Sequence, residues 1–243
     1  MRYLFLFILS IPLFLNGQKL SPEKAGQMRI LEMKILRNLK TIQPFEEIYQ
    51  QRVNAKQLFL EFAKLDSSFY YPLDSLKEYV SLQYSDDQKV RTISWDLVSG
   101  GTWHDYAVLA QSFNQIIDMN QDSDSGYSNY DDAGIFAIYD VQLNGQTFYL
   151  TFAYGTHGSG HHHNTVRVLF FDEGKLKEHP SFLNGKKEII IVAARRDKTE
   201  LIYDPISETI RHKEFDLEGE FGFAEATGKV IFYKLEKNGF VQK

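Results

Sequence analysis

Two hydrophobic rhythms divide the chain. Up to about residue 80, apolar positions recur every three or four residues: Met28, Leu31, Ile35, Leu39 and Ile42, then Ile48, Tyr49, Val53, Phe59, Phe62 and Ala63. That spacing lays an apolar stripe along a helix of 3.6 residues per turn. Ser21, Pro22 and Glu23 offer an N-cap, a first-turn proline and an early acid, so a first helix is expected from there. Pro44 interrupts it, the second stripe predicts a second helix ending near Asp66, and a short third is expected from Asp74 to about Ser81, behind Pro72.

From Lys89 the period falls to two. Residues 90–95 alternate, as do 135–141, 148–154, 166–171, 188–193, 200–203 and 229–233. The pairs Asn144-Gly145, Glu173-Gly174, Asn184-Gly185, Asp204-Pro205 and Asn238-Gly239 mark turns between them. Connections that short join antiparallel strands, because parallel neighbours need long crossovers. The expected class is therefore α+β: amphipathic helices over residues 18–86, then an antiparallel β-meander of about nine strands over 87–243. No fixed repeat chooses between a sandwich, a barrel and a propeller-like array.

Ahead of both regions, Met1-Arg2 and an apolar run over residues 3–15 form the core of a signal peptide. The run is too short for a membrane-spanning helix, which needs roughly 20 residues. Cleavage is expected between Gly17 and Gln18, giving residues 1–17 as the signal peptide and an exported product, periplasmic or secreted, without an integral membrane segment. The 243 residues hold no cysteine, so disulfides, thiol catalysis and lipid attachment through an N-terminal Cys are excluded.

Three runs, Ser85-Asp86-Asp87-Gln88-Lys89-Val90-Arg91, Ser94-Trp95-Asp96 and Gly100-Gly101-Thr102, with Tyr203-Asp204-Pro205 further on, are similar to a family of exported Bacteroidota proteins. The resemblance covers about two thirds of the chain. It implies a helical front, a β-rich body and an exported compartment, and no activity. The acidic segment and the triple histidine described next depart from the family.

Net charge is -5 at pH 7, which argues against a general nucleic-acid binder. The average conceals a gap: residues 92–166 contain no Lys or Arg but eight aspartates, Asp96, Asp105, Asp118, Asp122, Asp124, Asp131, Asp132 and Asp140. Concentrated negative charge attracts cations or basic partners. In its densest part, Asn120, Asp122, Asp124, Ser128 and Asp131 fall at positions 1, 3, 5, 9 and 12 of a calcium-type loop. The turn glycine is displaced to Gly126 and the final ligand is Asp in place of Glu, so a solvated connection between strands is the competing reading.

His157 and the run His161-His162-His163 are the second candidate site. In an extended strand His161 and His163 share a side, a spacing that suits zinc or copper, with His157, His104 or Asp105 supplying a third ligand. A polar hairpin tip explains the same residues without metal. Trp95, Trp103 and Tyr106 form a third candidate, aromatic surfaces for a sugar or peptide, against the alternative of a core role. The chain lacks a G-x-S-x-G elbow, an H-E-x-x-H helix and a phosphate loop. The expected function is thus a non-catalytic binding or structural protein of the cell envelope whose acidic face takes a cation, a cationic protein or a glycan. The alternative is a metal-dependent hydrolase with His161 and His163 as ligands and Asp105 as general base.

Overall fold

The computed structural model describes residues 21–42, 44–120, 132–158, 160–217 and 224–243. The expected signal peptide lies outside them, as do Asp122, Asp124, Ser128 and Asp131 of the calcium-type loop. Helix α1 spans Pro22–Leu39, capped by Ser21, whose side chain accepts the Lys24 N–H. Helix α2 spans Phe45–Ala63 behind Pro44, whose extended backbone separates the two. Met28, Ile35 and Leu39 are buried as their spacing requires, whereas Ile42 lies past the end of α1 and is 81% exposed. The expected third helix is a correction: one 3-10 turn, Asp74–Leu76, stands there. Leu73, held in the left-handed region at φ 52°, prevents a continuous helix from Pro72, and buried Glu32 accepts the Ser75 N–H.

Among the described residues there are thirteen strands where about nine were expected. They are β1 Ser81–Tyr84, β2 Arg91–Asp96, β3 Tyr106–Ser112, β4 Gln115–Asp118, β5 Gly134–Leu143, β6 Gln146–His157, β7 His161–Asp172, β8 Lys175–Glu178, β9 Glu188–Ala194, β10 Ile202–Asp204, β11 Thr209–Asp216, β12 Glu225–Glu236 and β13 Gly239–Gln242. The alternating stretches named above miss six of them: β1, β4, β8 and β13, whose four residues are too few to display alternation, and the longer β3 and β11. Their order is β1-β2-β3-β4 in the first sheet, β5-β6-β7-β8 in the second with β9 also on β7, and β10-β11-β12-β13 in the third. Every strand pair is antiparallel, and none of these sheets closes into a barrel.

The layers stack as helices, first sheet, second sheet, third sheet. Period two explains how. On β3, Leu109 faces the helical core of Phe59, Phe62 and Leu76, while Val108 and Ala110 face the second sheet. On β6, Tyr149 and Ala153 face the first sheet, while Phe148, Leu150 and Phe152 pack on Tyr203, Ile210, Tyr233 and Phe240 of the third. A strand covered on both faces reads as a nearly continuous apolar run. Arg91, wholly buried between the first sheet and the 3-10 turn Ser68–Tyr70, donates to the Ser68 and Tyr71 carbonyls and to Gln111 Oε1. It ties the helical end to the sheet.

Candidate functional site

Where β1, β2 and β3 of the first sheet approach the start of β5, a groove of about 380 Å³ opens to solvent. Its walls come from the segment entering β1 (Glu78, Tyr79), the end of β2 (Trp95, Asp96), the start of β3 (Tyr106), the start of β5 (Phe136) and β6 (Tyr154). Strand register sets these neighbours: Asp96 pairs with Tyr106, and Gly134 with Tyr154. The sheets are fastened beneath the groove by the Ser81 and Ser94 hydroxyls, both donating to the Ile135 carbonyl at 2.5 and 3.3 Å.

Two local devices shape the walls. Register slips between Ile135 and Ala137, a β-bulge that leaves Phe136 45% exposed. Gly134 is the other: a Cβ there would come within 2.9 Å of the Tyr106 ring, so its absence lets the ring lie against the strand. Burial, with Asp96 and Tyr154 nearby, pushes the Tyr106 phenol up to about 12. No Lys, Arg or His lines it. Behind the groove, Arg52 donates to the Asp96 carbonyl and its own carbonyl accepts the Trp95 indole N–H. The Asp96 carboxylate accepts the Val98 N–H and bonds His104 Nδ1, while Glu78 stands exposed at the rim.

Of the aromatic candidates, Tyr106 lines the groove, but Trp95 is a correction. It is 3% exposed and packs on Phe59 with ring centroids 5.0 Å apart, so its faces belong to the core and an edge at most meets the groove. Trp103 lies elsewhere, against His157, with centroids 4.2 Å apart. Glu78, Tyr79, Phe136 and Tyr154 carry no sequence signal of their own. Phe136 and Tyr154 sit within apolar runs, where an outward ring cannot be told from a buried one.

The histidines follow the predicted period, since His161 and His163 share one side of β7 and His162 takes the other. His161 Nε2 accepts the Ala224 N–H at 3.2 Å, and His162 Nε2 bonds the Asp197 carbonyl. His163 is 1% exposed, and its ring lies over Gly155, where a Cβ would stand 2.4 Å from the imidazole and 2.2 Å from the Asp132 carbonyl oxygen. Burial and neighbouring His157 push His163 down to about 4. Among the described residues no three His, Asp or Glu side chains converge to hold a metal. Asp105 donates its backbone N–H to Ser99 Oγ.

Asn120, the described member of the calcium-type loop, is also engaged. Its amide donates to the Tyr106 carbonyl, and its side-chain oxygen accepts from Arg167, a cation where a calcium ligand would require room for another. Internal pairing dissolves much of the acidic stretch: Asp118 pairs with Lys56, and Asp140 accepts the Asp86 and Asp87 N–H groups. Comparison with family models, curated proteins and solved structures finds no match.

Proposed function

We propose that the chain is an exported, non-catalytic binding protein of the cell envelope, periplasmic or secreted, whose groove holds a basic partner. One observation carries the reading: the residues lining one open groove include the carboxylates Glu78 and Asp96 with Tyr79, Tyr106, Phe136 and Tyr154 and no Lys, Arg or His, the nearest cation being Lys40, 5.4 Å from the Tyr79 ring centroid. Carboxylates attract a cation over distance, and aromatic faces hold one once water is displaced. The Lys- and Arg-free stretch supplies most of the walls, which gives its composition a physical consequence.

Titration of octalysine into the purified protein at two ionic strengths tests the reading. Salt-sensitive binding is expected, with the Kd raised tenfold or more by Glu78→Lys, which places a like charge at an exposed rim position. Absence of binding, or equal binding by Glu78→Lys, refutes it.

A further inference from the structure

We propose that the outward face of α1 docks on the surface of an anionic lipid bilayer. Charge is the first reason. Over residues 26–42 the exposed charged side chains are Arg29, Lys34, Arg37 and Lys40, all cations, in a chain of net charge -5. The one carboxylate of that span, Glu32, is buried and accepts from the Tyr71 hydroxyl and the Ser75 N–H. Among the described residues none of the four cations pairs with a carboxylate, and Lys40 lies over the neutral Tyr79 ring, 5.4 Å from its centroid.

Apolar groups sit among these charges. Arg29, Met33, Arg37 and Lys40 follow one another at four, four and three residues, so they form one stripe along α1 and its C-cap, with Ile30 and Lys34 beside it. Ile30 and Met33 are 60% and 50% exposed. A groove of about 320 Å³ lies on the same stripe, lined by Met33, Leu36, Arg37, Lys40 and Thr41. Cations beside apolar side chains match a molecule that is anionic at one end and hydrocarbon at the other, which describes a phospholipid and not an acidic peptide. The chain also brings this helix to a membrane. Six residues separate the apolar run over 3–15 from Pro22, a reach of at most about 25 Å, and a signal-peptide core enters the bilayer during export. Delivery therefore rests on the export reading, while the face itself does not.

Flotation of the protein expressed from the full chain, with vesicles of equal parts phosphatidylglycerol and phosphatidylcholine and with phosphatidylcholine alone, tests the proposal. A preference of tenfold or more for the anionic vesicles is expected, weakening with added salt, since each Lys or Arg near such a surface strengthens adsorption roughly fivefold. Lys34→Glu combined with Arg37→Glu should remove the preference at an unchanged melting temperature, both side chains being exposed. The chain has no cysteine, so Met33→Cys takes a single environment-sensitive fluorophore, whose emission should shift to the blue on the anionic vesicles. Equal binding to both vesicles, no binding, a preference that survives the double variant, or a label that stays in water overturns the docking face, as does octaglutamate binding with the vesicles left free. Recovery of the product outside the cytoplasm scores export separately, so either reading can fall without the other.

Discussion

Protonating His163 should destabilise this protein under mildly acidic conditions. The imidazole is closed between Gly155 and Asp132, and burial there pushes it from the usual 6.5 down to about 4. In the unfolded chain it takes a proton near pH 6.5, in the folded chain not until about pH 4, so the unfolded state binds more protons through that interval. Stability is therefore intact above pH 6.5 and falls as the pH drops towards 4. At 1.36 kcal/mol per pH unit, the loss between pH 7.5 and pH 5 comes to about 2 kcal/mol, and full protonation costs about 3. The other depressed histidines, His179 and His212, act in the same direction, each through burial. Urea unfolding at pH 7.5 and 5.0, on the wild type and on His163→Gln, isolates the His163 share. His163→Gln is expected to lose about 2 kcal/mol less than the wild type between the two pH values. Equal losses would refute the assignment of acid sensitivity to this side chain.

Three further outcomes follow from the packing. Gly155→Ala should lower stability by about 1–3 kcal/mol through overpacking, seen as a reduced melting temperature, since its Cβ has no space beside the Asp132 carbonyl and the His163 ring. Arg91→Lys should cost about 3 kcal/mol in urea unfolding, because one ammonium cannot satisfy the Ser68, Tyr71 and Gln111 acceptors that the guanidinium serves together. Gly134→Ala should displace the Tyr106 ring and weaken octalysine binding about tenfold, read by titration, with a smaller effect on the melting temperature.

Alternation and helical spacing are visible in the sequence because each reflects one buried face. That made the two long helices and seven of the described strands legible, together with the shared side of His161 and His163. The four-residue strands and the Asp74–Leu76 turn were not, since so few positions cannot show a period, and β3 and β11 were missed although they are longer. Stacking was hidden for a related reason: β3 and β6 are covered on both sides, and a run buried twice does not say what covers it. The missing Lys and Arg marked the stretch that supplies most of the groove's lining, but its aspartates serve several ends, with Asp118 on Lys56, Asp140 on two backbone amides and Asp96 at the groove. Glu78 and Tyr79 lie outside that stretch and join it through the contact of the first two sheets, which no local pattern records. Trp95 shows the converse, a prominent aromatic whose place is set by the helix behind it.

Mapping backbone amide chemical shifts during an octalysine titration tests most directly whether the groove is where a basic partner sits. The predicted result is a set of perturbations centred on residues 78–81, 94–96, 106, 134–136 and 154, absent in Glu78→Lys. Perturbations confined to other faces, or none while the peptide binds, would contradict the account.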